Sequence, residues 1–198
     1  MEDIKKVFIA ELLSKPPELM ASIWIMDRVP FLFGEDRESY ANWRCTLASG
    51  LGVDPSSLVI TGSCAFGLSL NPNKNYRFFN SESDIDIAVI SDYHFTSAWR
   101  ALRSLGSGIH ALPPVTRNAV QEHVKKYIYW GTVATDRILH MLPFGREWNQ
   151  VIDTMKNTPP TIGRTIKARI YRDFDSLRAY QVNNLKNLRI AEIEKGIL

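Results

Sequence analysis

The sequence predicts a mixed α/β (α+β) fold, a short mixed sheet flanked by helices at both ends. Three observations predict it. Two apolar runs of strand length, Leu58–Ile60 and Ile85–Ile90, bracket a Thr61-Gly62-Ser63 turn and a polar excursion. Both ends of the chain carry apolar residues at helical spacing. The composition is that of a chain with a real core: 45% hydrophobic, 23% charged and 11% aromatic, which excludes global disorder. At 198 residues the chain suits one domain. Its expected parts are N-terminal helices over 1–52, an α/β core over 53–158 and a C-terminal helix over 159–198, with Pro159-Pro160 as the boundary.

In order, residues 2–14 place Ile4, Val7, Phe8, Leu12 and Leu13 on one helical stripe, ended by Pro16-Pro17. A second stripe runs from Leu19 to Met26, and Phe31 to Gly34 forms a buried turn. A helix over 35–50 stops at Gly50 and Gly52. After the turn at 54–57 come strand, Gly-Ser turn, helix start, excursion and second strand. Downstream, 91–94 is expected as a loop, with helices over 96–105 and 115–126. The stretch 127–134, YIYWGTVA, is rich in aromatic and β-branched residues and is expected as a strand. Residues 137–142 fit helix or strand equally, and 148–155 is helical. The segment 161–197 is expected as one long helix with breaks, on the stripe Ile166, Ile170, Phe174, Leu177, Leu185 and Leu188.

Formal net charge is +3, too small to define a nucleic-acid binder. The segment 161–197 holds eight Lys/Arg against four Asp/Glu. Its basic face is read as the outside of a packing helix, or as a phosphate- or RNA-facing surface. Cys45 and Cys64 lack disulfide or zinc spacing, and the four histidines form no metal-binding pattern. No apolar run reaches the roughly 18 residues of a membrane span. The expectation is a soluble, reduced, cytoplasmic protein with no membrane partner.

The chemistry concentrates at Asp84 and Asp86. Residues i and i+2 of a strand share a face, roughly 7 Å apart, so the two carboxylates project together while Ile85 and Ile87 project oppositely. Two such acids repel each other unless a cation lies between them or one is protonated. Hard oxygen ligands of this kind suit Mg2+, which takes one or two carboxylates and completes its shell with phosphate oxygens. The competing reading, a turn residue ending at a strand, explains Asp84 but leaves Asp86 in an apolar strand without purpose.

Strand, Gly-Ser turn, helix, then a strand carrying Asp-x-Asp resembles the nucleotidyltransferase superfamily that includes DNA polymerase beta and the minimal nucleotidyltransferases. The likeness rests on Ile60 to Ser63, Ala65, Gly67 and Ser83 to Ile87. It implies a nucleotidyltransferase-like core that binds an NTP with Mg2+ (or Mn2+) and transfers a nucleoside monophosphate to an acceptor hydroxyl on protein, tRNA or a small molecule. It further implies that Gly62 and Ser63 hold phosphates and that Asp84 and Asp86 are catalytic metal ligands. The 20 residues between Ser63 and Asp84 exceed the family's spacing. From that excursion Lys74 and Arg77 are candidate triphosphate contacts, or the incidental charges of a solvated loop. A third acid is expected on a neighbouring strand. Asp136 is the first candidate, with a helix cap as its competing role; Asp153 and His140 follow. The alternative function is a nucleotidyltransferase-like binding or regulatory protein without transfer activity, such as a toxin–antitoxin component.

Overall fold

The computed structural model describes residues 2–71 and 74–197, without the side chains of Glu2 and Ile197. Residues 72 and 73 of the excursion thus lie outside the described residues.

Helix α1 (Glu2–Ser14) and the short α2 (Pro17–Ala21) open the chain, α2 running on through a π-helical turn at Ser22–Met26. The turn at Phe31–Phe33 ends on Gly34 at φ +59°. Helix α3 (Arg37–Leu51) starts where the Asp36 carboxylate accepts from the Ser39 N–H at 2.9 Å, and stops at Gly52 in the left-handed region.

Strand β1 (Leu58–Thr61) leads into α4 (Gly62–Phe66), and β2 (Ile85–Ile90) follows the excursion. The excursion is not a loose loop. Ser69 N–H donates to Arg77 O, Phe79 N–H donates to Gly67 O, both at 2.9 Å, and Tyr76 is buried. Helix α5 (Asp92–Ser104) begins at the expected loop, because Ser91 Oγ caps it by accepting from His94 N–H. Helix α6 (Pro114–Glu122) continues through helical turns to Trp130.

The expected strand over 127–134 is therefore corrected: only Thr132–Ala134 is extended (β3). Tyr127 and Trp130, three apart, share a helical face that meets Arg169 and Tyr180. Packing, not intrinsic preference, decides such aromatic stretches. Gly131, at φ +62°, turns the chain from helix to strand. Residues 137–142 hold a 3-10 turn at Leu139–Met141 rather than a full helix or strand, and α7 spans Gly145–Met155.

The larger correction concerns the C-terminal segment. It is not one helix: β4 (Ile166–Tyr171) precedes α8 (Phe174–Ile197). Ile166 and Ile170, four apart, satisfy a helical period and equally an alternating one. The buried Ile166, Ala168 and Ile170 against the half-buried Lys167 and Arg169 show that alternation prevails until the strand's last residue, Tyr171, which is buried as well. Asp173, whose carboxylate accepts from Ser176 N–H at 2.7 Å, marks the true helix start.

The sheet is mixed, ordered β1-β2-β4-β3. β1 and β3 run antiparallel to their neighbours, and β2 is parallel to β4. The molecule is thus a mixed α+β structure. A central pair buried on both faces reads as a near-continuous apolar run, and in β2 only Asp86 escapes full burial. The N-terminal helices clamp α8: Arg189 Nε donates to Leu12 O at 2.6 Å and Arg178 to Ser22 Oγ at 2.8 Å. One continuous core joins Phe8, Leu47, Ile87, Trp148, Ile170 and Leu185. No helix among the described residues is long and apolar enough to cross a membrane.

Candidate functional site

Register builds the site. Thr61 pairs with Asp86, so the chain leaves β1 at Gly62 directly beside that carboxylate. Gly62 adopts φ +66°, and a methyl built on it would overlap the Asp86 carboxylate oxygen. Only a residue without Cβ lets the turn close this near. On the other side, Asp86 pairs with Lys167 and Ala88 with Arg169. Lys167, Arg169 and Tyr171 alternate along β4 on one face, and α8 covers it: Arg169 Nη1 donates to Tyr180 Oη at 3.0 Å.

These elements enclose a cleft of about 680 Å³. Gly62, Ser63 and Asp86 lie at its β1–β2 side, with Lys74, Asp136, Lys167 and Arg169 around it. Tyr180, Gln181, Asn184 and Asn187 of α8 form the far wall. Burial pushes the Asp86 carboxyl above the usual range, the Lys167 ammonium pulls it down, and the Asp84 charge raises it again. Among the described residues no hydrogen bond reaches the Asp86 carboxylate. Asp84 Oδ2 accepts from Lys167 Nζ at 2.6 Å. That bond holds the lysine above its ordinary range, against desolvation, with Asp86 and Asp136 adding to it.

Arg169 is the cleft's largely buried cation. Its guanidinium lies 4.8 Å from the centre of the Tyr127 ring and 5.2 Å from that of Tyr180. Among the described residues no carboxylate lies within ion-pair distance of it. A desolvated cation held by neutral aromatic rings rather than by an acid is left free to receive an anion.

Of the residues singled out from sequence, Gly62, Ser63, Lys74, Asp86 and Asp136 line the cleft. Asp84 reaches it through Lys167. Arg77 is exposed and outside the lining, as are His140 and Asp153, the last paired with Lys156 at 2.7 Å. Among the described residues no three His, Cys, Asp or Glu side chains are grouped to hold a metal ion.

Three residues escaped sequence reasoning. Lys167 and Arg169 lie on a strand rather than the expected helix, and the signal for them is the alternation of apolar and basic residues over 166–170, IKARI. Arg164 donates to the carbonyls of Asn80, Ser81 and Ser83 at 2.6, 3.3 and 3.2 Å and stacks on Phe79, fixing the backbone that delivers Asp84. Nothing local in the sequence signals that contact. The arginines of α8 itself pack on the N-terminal helices, as Arg178 and Arg189 show.

A second groove of about 710 Å³, lined by Trp99, Tyr129, Trp130 and Arg172, lies elsewhere. Its arginine is exposed and lies 3.3 Å from Asp92. No family model matches the chain, no curated protein matches its sequence, and no solved structure matches its fold.

Proposed function

We propose that the chain is a nucleotidyltransferase that binds an NTP in this cleft and transfers its nucleoside monophosphate to an acceptor hydroxyl on protein, RNA or a small molecule. The observation that carries the reading is Asp86. It is a half-buried carboxylate that accepts no hydrogen bond among the described residues, packed against a glycine–serine turn and faced by Lys167 and Arg169.

The residues fit a divalent cation that arrives with a triphosphate. Asp86 is a partly desolvated oxygen donor without a hydrogen bond among the described residues, and Asp84 adds a second; two carboxylates plus phosphate oxygens satisfy Mg2+. Asp84 and Asp86 would hold Mg2+ or Mn2+, which supplies charge stabilisation of the departing pyrophosphate. The rest belongs to the chain. Backbone N–H groups at Gly62 and the Ser63 hydroxyl hold terminal phosphate oxygens, with Lys74 at the mouth. Arg169 offers a planar pair of donors to the α-phosphate region. The acceptor oxygen attacks the α-phosphorus, the α–β bridging oxygen leaves with pyrophosphate, and the hydroxyl proton passes to a carboxylate of the cleft. Such transfer is driven mainly by positioning and charge.

One observation favours a second reading, nucleotide binding without transfer: β4, the strand beside the Asp-x-Asp strand, carries Lys167 and no acid. Incubation with each α-labelled NTP, Mg2+ or Mn2+ and cell extract separates the two. Label transfer lost in Asp84→Ala and Asp86→Ala supports transfer. Binding without transfer supports the second reading, and absence of both overturns the proposal.

A further inference from the structure

A third acid on the strand beside Asp84 and Asp86 would complete a two-ion site. That strand is β4, and its residue opposite Asp86 is Lys167. The ammonium lies 2.6 Å from Asp84 Oδ2 and within the field of Asp86, with Asp136 beyond it and Arg169 two residues along the strand. The two carboxylates therefore face a fixed positive charge before any ligand arrives.

Resting on the nucleotide reading above, we propose that in the ligand-free cleft Lys167 stands in the place of one of two divalent ions, so that the cleft takes a single divalent cation, and only with a triphosphate. Three considerations carry this. First, Lys167 halves the net negative charge of the acid pair. Its repulsion of a dication about 4 Å away lowers affinity about thirtyfold even in a water-like dielectric. Second, the ion pair is easily broken: its side chains are 42% and 37% exposed, and such pairs contribute little. A triphosphate can therefore draw the ammonium from Asp84, freeing that carboxylate for the arriving ion. Third, among the described residues no third His, Cys, Asp or Glu side chain is grouped with the acid pair to seat a second ion. The lysine then becomes a cation on the phosphates. Its long, flexible stem allows that exchange where a short acid-ligand geometry would not.

The test is a Mn2+ titration of the full chain followed by electron paramagnetic resonance. It is run alone and with saturating α,β-methylene analogues of the four NTPs. The wild type is expected to hold Mn2+ only weakly alone, and one ion per chain with an analogue. Lys167→Met is expected to bind Mn2+ alone about thirtyfold more tightly, while its affinity for the analogue falls at least tenfold. Lys156→Met, which breaks a comparable exposed pair with Asp153, is expected to change neither. Two ions per wild-type chain with analogue, or an unchanged Mn2+ affinity in Lys167→Met, overturns the proposal. If no analogue binds the wild type, the nucleotide reading falls by that result, while the Mn2+-alone comparison still decides whether Lys167 acts as the resident cation. Thermal unfolding checks each variant, and Lys167→Gln, which is uncharged but keeps a hydrogen-bonding end for Asp84, replaces Lys167→Met should the latter fail to fold.

Discussion

Gly62→Ala and Gly52→Ala make a matched pair that isolates the contact between the turn and Asp86. Both glycines are left-handed, at φ +66° and +68°. An alanine there costs about 1 kcal/mol of backbone strain. Around Gly52 a methyl meets open space, whereas at Gly62 it meets the Asp86 carboxylate. Moving that carboxylate out of its rotamer adds about 1 kcal/mol more. For a chain of this size about 1 kcal/mol shifts the melting temperature by about 2–4 °C. Gly52→Ala should then melt about 2–4 °C below wild type, and Gly62→Ala about twice as far below. Circular dichroism melts give those values, and calorimetric titration with an α,β-methylene ATP analogue gives binding. Gly62→Ala should lose binding and Gly52→Ala keep it. Equal melting losses together with intact binding in Gly62→Ala would refute the packing of Asp86 against the turn.

Three further outcomes follow from the same geometry. Arg169→Met removes a largely buried charge that has no carboxylate partner among the described residues, so it should leave the melting temperature unchanged or higher while weakening calorimetric affinity for the analogue at least tenfold. His123 is buried, its Nδ1 2.6 Å from Ala119 O and its Nε2 accepting from Ala134 N–H at 3.0 Å, and burial holds its pKa below the usual value. Folding thus favours the neutral ring: the stability it contributes is complete above about pH 6.5 and is lost as pH falls below that. Urea titrations at pH 7.5 and 5 should show a smaller loss for His123→Ala than for wild type; an equal or larger loss rules this out. Cys64 is fully buried, its thiol pushed up to about 12 by burial, and Cys45 is exposed. Ellman titration should therefore count one thiol in the native protein and two in denaturant; two fast thiols in the native state would contradict the burial.

What the sequence disclosed, and what it withheld, follows the range of the interactions. The Thr61-Gly62-Ser63 turn and the Asp-x-Asp strand are local patterns, and both sit where a reader of the chain would put them. The ends of α3 were legible because Gly52 stops a helix by its own conformational freedom. The stretch 127–130 was misread because its aromatic residues are placed by Arg169 and Tyr180, some forty to fifty residues away. Strand β4 was misread because Ile166 and Ile170 fit two periods at once, and only pairing with β2 settles which applies. With β4 hidden, so were both of its cations. Of the candidates from the excursion, Lys74 faces the cleft and Arg77 does not. That difference comes from a left-handed turn at Asn75 and Tyr76, which nothing in the composition announces.

The middle of the sheet is made last. β2 leaves the ribosome beside an already made β1 but some eighty residues before β4, its other neighbour, and β3 must wait for that same partner. Until residue 171 is free, the nascent protein carries an open strand edge next to Asp86, an invitation to wrong partners that a chaperone would have to shield. A chain interrupted before residue 166 would retain the glycine turn and both acids on the β1–β2 pair alone, with one edge of β2 open, so shortened versions should accumulate as insoluble material rather than as weak binders.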